Sequence, residues 1–402
     1  MKKKIFWLYI TVFINIIGFG MIFPILPLFA ETFHASSFEI ALLASVFSLA
    51  QFLTAPFFGR LADRYGRRPL LIFSVIGSII SFLLVAIAPN IEILFFSRLL
   101  HGLSSAANFP IAAAYMADVT SKKERAGYMG KLAAMFALGF VVGPLFGGIL
   151  GNQGFPLAFS VAAGVGFINL LLLLIFLPES LTQKAEKLVL REGIFNFKSI
   201  YHGLRGDFGL LFFLLFAWAF YVSNFQVAIP LFAEERFSFG PLQNGFFFSA
   251  TGVTASISQW FLLPFAVKKI GEIKTIFIGI ILMIFGQILA PFSPTVIFFY
   301  LFFIISITGS GLKRPTINAL LSEKTKEGQG TTMGLAFSFE SLGRTFGPLA
   351  AGIIIAPLGL SAPFWLTAFV LLFGLFLFWK IEMRKEISEN QTVRKQFASQ
   401  EP

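Results

Sequence analysis

The chain has 402 residues, of which 56% are hydrophobic, 17% aromatic and only 13% charged, with a formal net charge of +11. Soluble domains carry about 25% charged residues, so this chain has too little polar surface to cover a water-soluble core, and the bilayer is its solvent. With no cysteine, disulfides and thiolate metal sites are excluded, and three widely spaced histidines argue against a zinc site; the basic residues punctuate the ends of apolar runs, which excludes a nucleic-acid surface and suits a positive-inside topology.

Met1–Lys4 and the apolar run after it resemble a signal peptide. The run continues for about 25 residues without a small-residue cleavage site, so it reads as a retained first span. Further apolar stretches fall near 38–59, 69–88, 92–117, 127–151 and 156–177. A second set falls near 208–233, 241–267, 273–291, 294–320, 330–356 and 361–380. The expected fold is an all-α membrane protein of twelve transmembrane helices. Its first six-helix half covers 1–177, a linker 178–207, the second half 208–380 and a tail 381–402. Lys2–Lys4, the Arg60–Arg68 cluster, Lys122–Arg125, the linker, Lys268–Lys274, Lys324–Lys326 and the tail all fall on one side, whereas the opposite loops hold only Arg236. Both termini and the linker are therefore expected in the cytoplasm of a cell whose inner membrane carries the chain.

The halves repeat one another. "LPLFAE" at Leu26–Glu31 recurs as "IPLFAE" at Ile229–Glu234, "GYMG" at Gly127–Gly130 as "TTMG" at Thr331–Gly334, and "VGPLFGG" at Val142–Gly148 as "FGPLAAG" at Phe346–Gly352. Pro110 matches Pro315 in the same order. Two parallel halves related by an axis along the membrane normal suit alternating access around a midplane site; a packing module without transport is the bland alternative.

Between the second and third spans the chain reads "GRLADRYGRRPLL" from Gly59. Arg64, Arg67 and Arg68 hold topology, Gly66 permits a tight reversal, and Pro69 suits the first turn of a helix. Asp63 does not help a basic loop. The spacing Gly59, Asp63, Arg64, Gly66, Arg67, Arg68 resembles the signature of the major facilitator superfamily, as do the twelve spans and the repeat. The resemblance implies a cytoplasmic gate. Gly59 would let span two approach span eleven, Asp63 would sit at that helix's N-terminus around Gly330–Thr332, and Asp118 would pair with Arg67 or Arg64. The latch would close in the outward-facing state and break in the inward-facing one.

Span five carries Gly139, Gly143, Pro144, Gly147 and Gly148, a small-residue stripe that also serves ordinary helix packing. With "SRLLHG" at Ser97–Gly102, it resembles the drug–proton antiporter branch, the tetracycline and multidrug exporters. Charges inside spans are expensive and so are functional candidates: Arg98 in span four, and Glu340 with Arg344 in span eleven. Glu340 and Arg344 are four apart and could simply neutralise each other; the functional reading makes Glu340 a proton carrier tuned by Arg98. Lys313 and Arg314 lie nearer a span end and are expected to snorkel. Where that branch places an acid in span one, this chain has Asn15, so coupling falls to Glu340 or to a span-end acid such as Glu31 or Glu234. Candidate cavity residues are Asn15, Gln51, Asn108, Tyr221, Asn224, Gln226 and Gln259, with Phe225 and Trp260 as apolar wall; interhelical hydrogen bonding explains each amide as well. His101 is expected beside Arg98, and His202 in the linker.

The expected function is proton-coupled export of drug-like or lipophilic small molecules by a monomer without cofactor or metal. The alternative is an importer or facilitator of a small anionic metabolite, motivated by Arg98 and Arg344. No nucleophile–base pair or phosphate loop points to an enzyme.

Overall fold

A computed structural model describes residues 2–106, 108–121, 124–181, 208–325 and 329–398. Most of the linker, with His202, lies outside these residues. The described chain forms α1 (Lys2–Gly20), α2 (Leu26–Glu31), α3 (Ser37–Tyr65), α4 (Arg67–Ala86), α5 (Ile91–Ser105), α6 (Asn108–Val119), α7 (Arg125–Gly151) and α8 (Phe155–Phe176) in the first half. The second half comprises α9 (Gly209–Phe237), α10 (Pro241–Ile257), α11 (Leu263–Ile270), α12 (Glu272–Leu289), α13 (Val296–Lys324), α14 (Gln329–Leu358) and α15 (Ala362–Ala398). Ten segments are long and apolar enough to cross a bilayer on their own, and Lys4–Gly20 is a shorter apolar helix. The fourth span, expected as one run over 92–117, is instead two helices, α5 and α6, which brings the count to twelve.

Local chemistry sets these boundaries. Ser36 and Glu39 cap the start of α3 reciprocally: the Ser36 amide donates to Glu39 Oε2 at 2.8 Å and the Glu39 amide to Ser36 Oγ at 3.3 Å, satisfying two donors that a helix end leaves unpaired. Asn90 Oδ1 accepts from the Ile93 amide at 3.2 Å and starts α5. Gly66 ends α3 at φ +116°, a conformation that side chains resist. A π-helical turn over Ser258–Leu262 joins α10 to α11 just before Pro264, the kind of break that a proline imposes on a helix.

One end of the bundle carries Arg60–Arg68 and Arg125, and is the basic end. The other carries Glu31, Glu39, Glu92, Glu234 and Glu235, and is the acidic end. Three apolar cores show how the halves meet. Ile5, Leu8, Leu70, Tyr115 and Leu173 belong to a core made of the first half alone, and Phe212, Tyr221, Phe247 and Phe303 to one whose buried residues all come from the second. Among the described residues, the core at the acidic end draws its buried residues from both halves, packing Ile25, Phe29 and Ala41 with Val227, Leu231 and Ile355.

The glycines locate the contact more sharply. A Cβ added to Gly148 of α7 would lie 2.7 Å from Gly245 Cα of α10, and one on Gly352 of α14 would lie 2.5 Å from Ala41 Cβ of α3. Gly148 and Gly352 are one repeat apart, as are Ala41 and Gly245, so these are the same contact made twice by a pseudo-twofold axis. At the basic ends of α3, α7 and α14, a Cβ added to Gly59, Gly127, Gly130 or Gly334 would meet nothing within 4 Å. The halves are closed at the acidic end and apart at the basic end.

A twofold axis also makes equivalent residues on it meet each other. Glu31 and Glu234, equivalent in the repeat, do so, with the Glu31 carboxyl hydrogen-bonded to Glu234. Burial, then that hydrogen bond and the repulsion between the carboxylates, push Glu31 from 4.5 up to about 8. Glu235, Arg236 and His34, also at this end, are exposed to solvent, and Glu39 is turned toward its own helix cap. Closing the acidic end therefore takes up a proton. The Glu31 contribution to closure is fully present below 4.5, weakens as pH rises and is gone above about 8. The chain has no cysteine, so spin labels at Gln153→Cys and Thr295→Cys, on opposite halves, report this directly. Their separation is expected to lengthen between about pH 5 and about pH 9, and Glu31→Gln to flatten the response.

Candidate functional site

The half-open bundle exposes a charged cluster at membrane depth on the second half. Glu340 lies roughly 16 Å into α14, and Arg314 roughly 15 Å from the basic end of α13, near the middle of a bilayer. Arg314 Nε and Nη2 donate to Glu340 Oε1 and Oε2 at 2.8 and 3.0 Å, a two-pronged charge-assisted pair. The Arg314 guanidinium also lies 4.4 Å over the Trp218 ring, whose Nε1–H donates to Ser310 Oγ at 2.8 Å. Arg344 reaches Glu340 Oε2 and Ser341 Oγ only at 3.5 Å each. The side chain of Glu340 is 5% exposed, against 40% for Arg314 and 29% for Arg344.

This corrects two expectations. Arg314 does not snorkel: the buried carboxylate opposite it is a better partner than water at a distant span end. Nor is Arg344 the main counter-ion of Glu340. An i,i+4 pair must bend along its own helix, whereas Arg314 approaches from the facing one. Lys313 does not snorkel either; it is fully buried, and its Nζ has no hydrogen-bond partner among the described residues. Sequence reasoning missed Arg314 and Trp218 as site residues. Counting depth from the basic ends of spans ten and eleven would have placed Arg314 opposite Glu340.

Arg98 does not join this cluster. It is 4% exposed within the first half, stacked 4.1 Å over the Phe47 ring with Nη1 3.4 Å from His101 Nδ1, so the described contacts give it no path to Glu340. Asn108 Nδ2 donates to Asn15 Oδ1 at 3.3 Å, and both line a cleft with Thr11, Leu71, Val75 and Phe136. Gln51 is spent on Ser105 Oγ at 3.1 Å, an interhelical bond. Tyr221 is no cavity residue: it is buried in the second-half core and accepts from Ser306 Oγ at 3.0 Å. Asn224 is buried as well, and Phe225 belongs to an aromatic cluster with Phe247, Phe248 and Phe303. Gln226 is half-buried, while Gln259 and Trp260 are exposed around the π-helical turn and form no enclosed wall.

At the basic end, Arg67 bonds both acids expected of the gate: Asp63 Oδ1 at 2.6 Å and Asp118 Oδ2 at 3.2 Å. Asp63 is thus paired within the first half, and a Cβ added to Gly59 would meet nothing within 4 Å. Arg64 is exposed, 5.4 Å over the Tyr65 ring. Arg68 Nη2 donates to the Leu174 carbonyl at 2.6 Å.

Sequence reasoning missed the start of the linker, which completes this cluster. Glu179 accepts from the Arg67 amide at 2.9 Å and the Arg68 amide at 3.2 Å, capping α4. Ser180 Oγ donates to Asp118 Oδ2 at 2.9 Å, and Tyr115 Oη to the Pro178 carbonyl at 2.7 Å. A Cβ at Gly66 would collide with the Glu179 carboxylate, a second reason for glycine there. Partial burial pushes the Glu179 carboxyl up, but the amides of Leu181, Arg67, Ser180 and Arg68 outweigh it and hold the group below the usual carboxylate range.

The span-five stripe has two jobs. Gly139, Gly143 and Gly147 pack against Ile16, Gly20 and Met21 of the first span, whereas Gly148 and the Pro144 carbonyl meet Gly245 across the halves. The stripe therefore joins the first span to the pivot between the halves.

Replacing Glu179 by alanine is expected to cost about 1 kcal/mol of stability, the worth of a helix N-cap, seen as a lowered thermal unfolding midpoint. The depressed carboxyl sets the sign with pH: the stabilisation is present above the usual carboxylate range and fades as pH falls through the lowered value. Wild type and Glu179→Ala should therefore converge in acid.

The family model for the Major Facilitator Superfamily matches residues 8–348 and again 261–400. Multidrug resistance protein 2 of Bacillus subtilis (strain 168) is 30% identical over 387 residues, covering 94% of this chain and 96% of its own. The class C tetracycline resistance protein of Escherichia coli is 30% identical over 364 residues, covering 88% and 89%. In three dimensions the chain is similar to a bacterial homologue of the human lysosomal transporter Spinster, solved inward-facing and unoccupied, with a TM-score of 0.77, 16% identity, and coverage of 93% of this chain and 95% of that one. With this match along the chain and the duplicated twelve-helix bundle, the protein belongs to the major facilitator superfamily of transporters, in its drug–proton antiporter branch.

Proposed function

We propose that the protein exports drug-like, lipophilic small molecules across the plasma membrane in exchange for protons, by alternating access. The observation that carries this is Glu340: a carboxylate 3% exposed at mid-membrane, held by a guanidinium from another helix in a half-open cavity. Relatives whose names record multidrug and tetracycline resistance support the direction and the cargo. The excess of Lys and Arg at the basic end supports placing it, with both termini, in the cytoplasm. The state described then faces inward. The protein acts as a monomer and carries out no covalent chemistry.

Glu340 is the proton carrier. While it is ionised, Arg314 is bound to it and α13 stays docked against α14. A proton arriving from outside neutralises the carboxylate, removes most of the attraction and frees α13 to move against α14. With an amide at Asn15, the first span offers no carboxylate for this task, and the Asn15–Asn108 pair serves as an uncharged wall. Gly59, Asp63 and Arg67 form the cytoplasmic latch, released here and engaged when the basic end closes.

In everted vesicles loaded with acid, adding tetracycline or a lipophilic dye is expected to raise the internal pH for the wild type. Glu340→Gln should abolish that proton efflux; an unchanged pH under saturating substrate in the wild type would refute coupling. Asp63→Asn tests the latch separately. It should slow turnover by about tenfold, the rate equivalent of one lost charge-assisted contact, with substrate affinity in the inward-facing state retained. Affinity falling in step with turnover would contradict a gating role.

A further inference from the structure

The charges at membrane depth do not balance. Among the described residues, Arg98, Lys313, Arg314 and Arg344 are set against the single carboxylate Glu340. Arg98 and Lys313 are 4% and 0% exposed, each inside its own half, but their field reaches the cavity between them because low-dielectric protein screens poorly. The trio that faces the opening is itself unequal: Arg314 and Arg344 carry two positive charges, and Glu340 returns one.

The hydrogen bonds show which charge is more loosely held. Both oxygens of Glu340 are taken by Arg314 at 2.8 and 3.0 Å. Arg344 has five N–H donors in a planar fork, and its two contacts, to Glu340 and Ser341, are both at the 3.5 Å limit. Its side chain is 29% exposed. One aromatic face adjoins it: Phe337, 39% exposed, lies 5.5 Å from the Arg344 guanidinium, while Trp218 backs the neighbouring Arg314 at 4.4 Å. A loosely held guanidinium beside an exposed arene is shaped for a planar acid.

We propose that the cavity selects aromatic carboxylates, with the carboxylate taken by Arg344 and the ring laid against Phe337, and that it discriminates against cationic aromatics. The inference rests on the preceding reading only in taking this cavity as the substrate site. Its physical core is charge balance. A bound monoanion brings the trio from one net positive charge to zero, the state in which the site can be closed off from water at least cost. A bound cation raises the trio to two and makes that closure harder. Lipophilicity alone does not discriminate in this way.

The test is binding of three probes of one shape to the full-length protein in nanodiscs at neutral pH, read by calorimetry without a proton gradient. These are 2-naphthoate, 2-naphthol and 2-naphthyltrimethylammonium. Naphthoate is expected to bind at least about tenfold more tightly than the trimethylammonium probe, the least that one uncompensated charge is worth at this depth. Arg344→Gln should weaken naphthoate at least about tenfold more than it weakens 2-naphthol, as loss of a charge-assisted hydrogen bond requires, and Arg344→Lys should recover part of the difference. The proposal is overturned if the cationic probe binds as tightly as naphthoate to the wild type, or if Arg344→Gln weakens both probes equally. The first comparison needs no variant, so a misfolded mutant cannot mask the result. Failure of proton coupling in vesicles would leave these affinities untouched, so the two readings fail separately.

Discussion

An ionised carboxylate in the middle of a membrane protein is tolerable only when it is paired, and Glu340 is the place where this chain meets that constraint. Removing such an ion from water costs several kcal/mol even after relaxation. The two-pronged bond from Arg314 answers that cost, and it has a structural consequence. Helices α13 and α14 share only a small direct contact, whereas each packs extensively on another neighbour: α13 on α12, and α14 on α9. The ion pair is therefore a principal link between two otherwise loosely joined helices. A link of that kind can be undone by one proton, whereas a link of packed leucines cannot.

What such a release moves depends on where the halves are fixed. At the acidic end they meet at near-backbone distance, through Gly148 on Gly245 and Gly352 on the Ala41 methyl. No long side chain stands between the helices at these points to absorb displacement, which favours rotation about this contact. Helix α3 transmits it. It runs unbroken for 29 residues from Ser37 to Tyr65, with roughly 33 Å at the helical rise between the Ala41 contact and Asp63. A few degrees at the pivot become several ångströms at the latch. At that far end Arg67 holds Asp63, and Glu179 and Ser180 keep Arg67 and Asp118 in place.

The sequence made most of this architecture legible because the relevant signals are periodic or repeated. Twelve apolar runs, a common offset and basic residues on one side give the bundle and its symmetry without any knowledge of contacts. The Arg67–Asp118 pair was also readable, since both residues sit at the same end of neighbouring spans. Side-chain direction was not. Tyr221 reads as a polar group on a span and turns into a core, because nothing in the order of residues says which face of an all-apolar helix looks at the cavity. Arg314 reads as a span-end cation because sequence distance to the span boundary is a poor guide when a buried acid lies across the gap. Glu179 went unrecognised because a glutamate opening a polar linker looks like solvent-facing chain until Gly66 is seen to make room for it.

The symmetry also sharpens what is not symmetric. Positions that build the pivot are duplicated: Gly148 with Gly352, Pro144 with Pro348, Ala41 with Gly245. Positions that carry charge at membrane depth are not. Glu340 corresponds to Phe136 and Arg344 to Phe140 in the first half, and Phe136 lines the cleft beside Asn15 and Asn108. That cleft of the first half is thus amide and arene, whereas the repeat-related position in the second half is ionic. If both walls carried charge, moving the halves would separate ions across the cavity and expose each to water in turn, at a desolvation cost paid on every cycle. Confining the partly exposed ions to one half lets them travel together as a packed unit, while Arg98 stays buried inside the other. A duplicated fold needs symmetry to rock, and it needs this asymmetry to rock cheaply.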